Sequence, residues 1–351
     1  MNPNIVIYGA GAVGGYVGGY LTRDGHTVTL VDPWVEHVQA MREPGLILKG
    51  LTEPECFQIA VNALTPDEYL NSPNQSPVDI GIISTKSYDT ETAAHFLKPL
   101  LAPDGFVVSL QNCINEPAIA AIVGEEKTVG CIASTITVGL YTPGLVQRNV
   151  PRRGAAYTVF RCGEYGGGLS QRVQDFATLL APVDSARATD NLMGERWTKL
   201  VINTSRNGIL AATGMETAAM ELDQGPRRLC IRTAAETIRV AQALQVKLED
   251  IGGFAPSVWV AAAQGDAAAL ESIESDMLAT AKTRVAGTQL SMGQDIEKGR
   301  RTEIDYLNGL VVEKGRAVGI DTPANEIIWQ AVRRVENGEV KPAMANIAAG
   351  F

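Results

Sequence analysis

Lys199, Asn203 and Asn207 recur every fourth residue along a stretch, residues 192–213, that is otherwise apolar at Leu192, Met193, Trp197, Leu200, Val201, Ile202, Ile209 and Leu210. At ~100° per residue the three fall within about 80° of one another, on one stripe of a helix. A lysine and two amides on the edge of an apolar helix are costly in a core unless partnered. The pattern therefore points to a helix that lines a polar cleft. An ammonium group placed there can stabilise negative charge developing on an oxygen and can supply a proton. Partial burial lowers a lysine's pKa and makes it a better acid at neutral pH. The bland alternative is a snorkelling surface lysine with both amides facing solvent. Arg206 lies about 20° off the same stripe. It is a candidate for holding a ligand carboxylate or other anion bidentately; a salt bridge to an acid on a neighbouring helix is the competing reading.

A second group stands at the start of the chain. Gly9-Ala10-Gly11-Ala12-Val13-Gly14 is a G-x-G-x-x-G that directly follows the β-rich run of residues 5–8 and opens a helical stretch. The first glycine makes a tight turn, the second lets backbone approach a pyrophosphate, and the third lets helix and strand pack closely. The helix N-terminus offers free N–H groups to phosphates. Asp32 ends the next strand, 23 positions after Gly9. A carboxylate there accepts hydrogen bonds from ribose hydroxyls and repels a 2′-phosphate. No arginine follows it closely, the next residues being Pro33, Trp34 and Val35. The expected cofactor is NAD(H) rather than NADP(H). The rival role of Asp32 is a turn aspartate capping the next helix, compatible with either cofactor.

These groups need a frame to hold them. Residues 5–8, 27–31, 78–84, 106–110, 128–133, 145–149 and 156–160 read as strands, with helical stretches at 90–101 and 169–180. Such alternation implies a largely parallel, doubly wound α/β sheet. After residue 190 the pattern turns helical, with candidates at 192–213, 225–244, 267–283 and 303–318. A last helix starts after Thr322-Pro323, an N-cap followed by proline at the first helical position. The expected domains are therefore 1–189, a Rossmann-type dinucleotide-binding domain, and 190–351, an all-helical domain. Residues 74–77 (NQSP) look like a surface loop.

Composition excludes several classes. Of 351 residues, 45% are hydrophobic and 20% charged, and 30 Lys plus Arg against 39 Asp plus Glu give a formal charge of −9. That balance disfavours nucleic acid or an anionic membrane surface as partner. No apolar run reaches the ~20 residues of a membrane-spanning helix. The five cysteines are widely spaced and odd in number, which fits a reducing, cytoplasmic setting. All three histidines, His26, His37 and His95, lie in the first hundred residues. A multi-histidine metal site is disfavoured, as is a histidine acid supplied by the second half.

With these motifs in view, the sequence resembles the ketopantoate reductase (2-dehydropantoate 2-reductase) family of the 6-phosphogluconate dehydrogenase-like superfamily. The resemblance runs in order through GAGAVGG, TKSYDT (residues 85–90), VSLQNCINE (108–116), RWTKLVINTSRNG (196–208), SMGQDIEKGRRTEIDYLNG (291–309) and GIDTPANE (319–326). It implies a Rossmann domain plus a helical domain with a small-molecule substrate between them. It also implies hydride transfer from reduced nicotinamide to a 2-keto acid, with a lysine as proton donor. That lysine maps onto Lys199 and the two helix asparagines onto Asn203 and Asn207. An active-site glutamate maps onto Glu303 and a substrate-binding serine onto Ser291. Asn112 matches an asparagine that contacts the nicotinamide ribose, and Lys86 a lysine near cofactor and substrate. Thr302 and Asp305 approximate an N-terminal capping arrangement that would put Glu303 in a first helical turn. For Glu303 the plain alternative is an acid favouring the helix dipole, for Ser291 a helix cap, and for Lys86 and Asn112 a structural turn.

The sequence also departs from the pattern. Cys113 stands where a glycine usually follows the asparagine, Arg206 replaces an aliphatic residue, and Thr217 and Thr288 stand where substrate-holding asparagines are common. The expectation is an NAD(P)-dependent 2-keto acid reductase, or the reverse 2-hydroxy acid dehydrogenase. Lys199 and Glu303 are catalytic. Asn203, Asn207, Ser291 and Arg206 bind substrate. Gly9, Ala10, Gly11, Ala12, Val13, Gly14, Asp32, Lys86 and Asn112 hold cofactor, and no metal is required. The alternatives are an NAD-dependent paralogue acting on another hydroxy compound, or a catalytically silent dinucleotide sensor. Family members are often dimers through the helical domain, so a homodimer is the expected assembly.

Overall fold

The computed structural model describes residues 3–73, 76–152, 157–284 and 290–350. The chain divides into two compact units, Met1–Leu192 and Met193–Phe351. The first contains, in order, β1 (Asn4–Tyr8), α1 (Ala12–Arg23), β2 (Thr27–Val31), α2 (Val35–Ala40), β3 (Leu46–Lys49), β4 (Phe57–Ile59), β5 (Asn62–Leu64), α3 (Pro66–Leu70) and β6 (Val78–Ile83). Then come α4 (Thr90–Leu97), β7 (Leu101–Ser109), α5 (Glu116–Val123), β8 (Thr128–Ala133), β9 (Val138–Thr142), β10 (Leu145–Arg148), β11 (Phe160–Glu164), α6 (Gln171–Leu179) and β12 (Ala186–Ala188).

Eight strands form the main sheet in the order β12-β11-β8-β7-β6-β1-β2-β5. All neighbours pair parallel except β8 and β11. Side chains alternate between its faces. Ile5, Ile7, Leu30, Ile82 and Val108 join Tyr16, Val17 and Tyr20 of α1 and Phe176 of α6 in one core. Val6, Tyr8, Val31, Ile83 and Val107 join Ala93 and Leu97 of α4 and Ile119 of α5 in another. A strand buried on both faces reads as a continuous apolar run, which is why these strands are visible in the sequence.

A second, four-stranded sheet, β4-β3-β10-β9, is not anticipated by the sequence, and residues 145–148 belong to it rather than to the main sheet. Its strands are three to five residues long, too short for a period to declare itself. It covers the outer side of α1: a Cβ on Gly19 would lie 2.5 Å from Leu48, and one on Gly18 would lie 2.4 Å from Leu30 of the main sheet. The small residues of α1 thus let one helix pack between two sheets. Arg148 reinforces the layer through a fully buried ion pair with Asp184 at 2.6 Å and hydrogen bonds to the carbonyls of Val150 and Pro151. Asp184→Ala leaves that guanidinium buried without its counter-charge and should cost roughly 3–5 kcal/mol in urea unfolding.

Two boundaries shift by several residues. The 90–101 helix stops at Leu97, and Leu101 already belongs to β7. The strand expected at 156–160 begins only at Phe160, Ala156 lying outside the described residues. Of the loop at 74–77, Asn74 and Gln75 also lie outside them.

The second unit is helical: α7 (Leu192–Thr213, its first residue in the first unit), α8 (Thr217–Leu222), α9 (Gln224–Ala243), α10 (Pro256–Ala263), α11 (Ala267–Ala281), α12 (Ser291–Glu297), α13 (Asn308–Val318) and α14 (Pro323–Glu336). The expected helix over 303–318 is a 3-10 turn, Ile304–Tyr306, followed by α13. Thr322 is the N-cap of α14, but its side chain does not cap. The buried Glu236 of α9 accepts the N–H groups of Ala324 and Asn325 instead, each at 2.9 Å.

Candidate active site

The glycine loop joins β1 to α1. Gly9 sits at φ +96°, in the region that favours glycine, and a Cβ there would lie 2.8 Å from Thr85 N. A Cβ on Gly14 would lie 2.0 Å from Gly9 O, so the helix can start this close to the strand only with glycine. Gly11 differs: a Cβ there would meet nothing within 4 Å. The fold does not need glycine at that position, and the space above it is open for a ligand. Gly11 is the N-cap of α1 and offers no side-chain cap. The first N–H groups of the helix, at Ala12 and Val13, therefore have no intrahelical acceptor. This cradle fits the pyrophosphate of a dinucleotide.

Asp32 is brought against the loop. Its Oδ2 accepts the Ala10 N–H at 2.8 Å and its Oδ1 the Trp34 N–H at 2.9 Å. Each oxygen keeps a lone pair for a ribose hydroxyl. Burial raises its pKa, opposed by the Trp34 N–H, the nearby His37 ring and the Ala10 N–H. The folded chain thus holds the Asp32 proton to higher pH than the unfolded chain. This contribution to stability is full below the unfolded carboxylate pKa and is lost as pH rises through the raised value. The ionised form is the one whose oxygens can both accept from hydroxyl groups. Affinity for NADH, followed by fluorescence titration, should therefore fall on the acid side as pH drops through the raised value, and Asp32→Asn should abolish that dependence.

His37, which the sequence does not single out, braces the same loop. It is fully buried; Gly144 N–H donates to its Nδ1 at 2.9 Å, so Nε2 carries the proton and donates to Ala10 O at 2.9 Å. The ring thus ties the loop to the β9–β10 turn. No local signal marks it, because its partner lies 107 positions away.

Lys86 and Asn112 follow the C-terminal ends of β6 and β7, the edge at which open α/β sheets bind ligands. Gln111 clamps the two loops together: its Nε2 donates to Thr90 Oγ1 at 2.9 Å, Thr85 O at 3.1 Å and Lys86 O at 3.4 Å. Asn115 donates to Asn112 O at 2.8 Å and to Ser87 Oγ at 3.2 Å. Cys113 sits at φ +65°, which explains why glycine is the usual residue there. A left-handed conformation costs a non-glycine residue roughly 1–2 kcal/mol.

In the second unit, α7 spans the expected residues. Lys199 and Asn203 are half-buried and Asn207 is 7% exposed. The flank of the helix next to Asn207 is fixed: Thr204 Oγ1 lies 3.0 Å from Thr237 Oγ1 of α9, and Asn308 of α13 donates to Thr204 O at 3.1 Å. Glu303, 6% exposed, is the N-cap of the 3-10 turn rather than a residue of its first turn. The capping arrangement expected of Thr302 and Asp305 does not form. Thr302 Oγ1 accepts the Ile304 N–H at 3.3 Å and donates to Glu336 at 2.6 Å, while Asp305 accepts the Trp329 indole N–H at 2.7 Å. These bonds hold the turn against α7, where Ile304 reaches the Gly208 backbone beside Asn207. Ser291 is the first residue of α12, not its cap, and is exposed.

Arg206 turns to an acid. Its Nε lies 3.5 Å from the carboxylate of Glu221, a buried residue of α8 that also takes two bonds of 2.6 Å from Arg284. The inter-helix ion pair, the competing reading, is therefore formed, and Arg206 links α7 to α8. Arg206→Met should leave the substrate Michaelis constant unchanged and cost roughly 1–3 kcal/mol of stability, read by denaturant unfolding. Thr217 is buried at the start of α8. Thr288 lies outside the described residues. Among the described residues no group of three or more His, Cys, Asp or Glu could hold a metal ion, and no helix is long and apolar enough to cross a membrane.

Residues 5–157 match the family model described as ketopantoate reductase PanE/ApbA, and residues 191–336 match its C-terminal counterpart. The chain belongs to the ketopantoate reductase family. Its general activity is that of an NAD(P)-dependent oxidoreductase of this family. A 2-dehydropantoate 2-reductase from Pyrococcus horikoshii is 29% identical over 335 residues, 95% of this chain and 97% of the relative. The crystal structure of a PanE/ApbA family ketopantoate reductase from Ralstonia eutropha JMP134 superposes with a TM-score of 0.77 at 28% identity, covering 95% of this chain and 99% of that one. A ternary structure of D-mandelate dehydrogenase with NADH and anilino(oxo)acetate shares the fold at a TM-score of 0.77 and 23% identity, covering 96% and 99%. The ketopantoate reductase fold, a Rossmann-type domain followed by a helical domain, is thus the one observed.

Proposed function

We propose that this ketopantoate reductase family member reduces the keto group of a 2-keto acid, with NADH preferred and Lys199 as proton donor. The observation that carries the reading is the stripe of half-buried Lys199 and Asn203 and buried Asn207 on a helix pinned along the adjoining flank. Gly9 to Gly14 and Asp32 hold the dinucleotide, with Lys86 and Asn112 at its nicotinamide end. The bound nicotinamide supplies a hydride. Lys199 places an ammonium against the keto oxygen, stabilises the charge that develops there and gives up its proton to it. In the reverse direction the neutral amine takes that proton back. Asn203, Asn207 and Ser291 orient the carboxylate and hydroxyl groups of the substrate. Glu303 lies on the turn packed beside Asn207 and is proposed to face the ligand with them.

Asp32 and the absence of arginine at residues 33–35 support NADH over NADPH. Ketopantoate is the first substrate to test, because the P. horikoshii relative is a 2-dehydropantoate 2-reductase. Thr217 favours a second reading, a different 2-keto or 2-hydroxy acid, since it replaces an asparagine common where ketopantoate is held. Steady-state rates with NADH and NADPH against ketopantoate and a panel of other 2-keto acids test both. A kcat/KM highest for ketopantoate with NADH supports the first reading. A higher value for another keto acid supports the second, and no turnover of any member contradicts both.

A further inference from the structure

Cys131 and Cys162 face each other across the antiparallel pair of β8 and β11 in the main sheet, in direct register. Both are completely buried, and their sulfurs are 3.5 Å apart. Directly opposed residues of an antiparallel pair have Cα atoms about 4.5–5.5 Å apart and project to the same face. That separation lies within the ~4.4–6.8 Å a disulfide spans. Closing the sulfurs to a bond length of ~2.05 Å requires side-chain rotation and no change of register. Two thiols held this way differ from the other cysteines: Cys56 is exposed, and Cys113 and Cys230 are buried elsewhere in the fold.

We propose that Cys131 and Cys162 form a thiol pair that a small peroxide oxidises reversibly to a cross-strand disulfide. Access comes from the sheet edge, where β12, only three residues long, is the last strand and pairs directly with Phe160, Arg161 and Cys162. Local opening of this edge together with α6, whose Val173 and Phe176 share one core with the two thiols, exposes Cys162 before the centre of the sheet. The Cys162 thiolate then attacks one peroxide oxygen; the O–O bond breaks, a sulfenic acid forms and water leaves. The Cys131 sulfur attacks the sulfenic sulfur; the S–S bond forms, the S–O bond breaks and a second water leaves. Two electrons pass from the thiols to the peroxide, and both thiol protons end in water.

The test uses the full chain carrying Cys56→Ala, which removes the exposed thiol and leaves four. After hydrogen peroxide treatment of the folded protein, thiols titrated in denaturant should fall from four to two per chain. The mass should drop by about 2 Da, for two hydrogens lost. A peptide linking residues 131 and 162 should appear, and dithiothreitol should restore all four thiols. Adding Cys131→Ala or, independently, Cys162→Val should abolish the linked peptide. Persistence of four thiols, loss confined to Cys113 or Cys230, or conversion of single cysteines to sulfinic acid without a linked peptide would overturn the proposal. The linked peptide is sought in the otherwise unaltered chain, so the outcome does not depend on the added variants folding.

Discussion

Lys199→Ala is expected to lower kcat about 10²–10⁴-fold, the range that a positioned general acid contributes. The dissociation constant for NADH should change little, because the proposed dinucleotide site, the glycine loop and Asp32, belongs to the other compact unit. The physical reason lies in charge. A keto oxygen that receives electrons must be neutralised as the bond forms, and an alanine methyl offers neither charge nor proton. Lys199→Arg separates the two effects. A guanidinium keeps the positive charge but does not give up its proton in this pH range. It should recover part of the loss, and its pH profile should lose the limb that belongs to the lysine. Stopped-flow absorbance of reduced nicotinamide, with binding measured separately by fluorescence, reads both quantities. Equal turnover of the alanine variant and the parent would remove Lys199 from the chemistry.

The second large effect concerns Gly11. Gly11→Ala should leave the fold intact, with a stability change within about 1 kcal/mol, because the new methyl meets nothing within 4 Å. It should nevertheless weaken NADH binding by about 10–100-fold, since the methyl occupies the space through which backbone approaches the pyrophosphate. Gly14→Ala is the contrasting control. Its Cβ would lie 2.0 Å from Gly9 O, so the loop itself must distort and stability should fall along with binding. Denaturant unfolding and NADH titration of the two variants distinguish a position reserved for ligand from one reserved for packing. Unchanged NADH affinity in Gly11→Ala would mean that the cofactor does not lie over this loop.

The features legible in the sequence are those encoded locally. The limits of α7 follow from its own apolar period, and the parallel strands from their continuous apolar runs. The glycine loop is legible because three glycines at fixed spacing and an acid just after β2 occur together. Long-range partnerships are not. His37 and Gly144 meet across 107 positions, and Glu236 caps a helix 88 positions away. The second sheet escapes notice because β3, β4, β9 and β10 are too short to alternate clearly. Glu303 is misplaced by one turn because periodicity marks the body of α13 and not the 3-10 turn ahead of it. Arg206 shows the right angle on the helix wheel, but a wheel carries no information about Glu221 on the next helix.

In the proposed reaction this chain moves a hydride from a nicotinamide to the carbonyl carbon of a 2-keto acid. The most direct measurement is isotopic: NADH carrying deuterium at the transferable C4 position is incubated with the best keto acid of the panel, and the product is examined by mass spectrometry and proton NMR. Deuterium at the new hydroxyl-bearing carbon, absent with Lys199→Ala over the same interval, is the result expected. Product that forms without deuterium at that carbon, or nicotinamide that stays reduced with every keto acid tried, would contradict it.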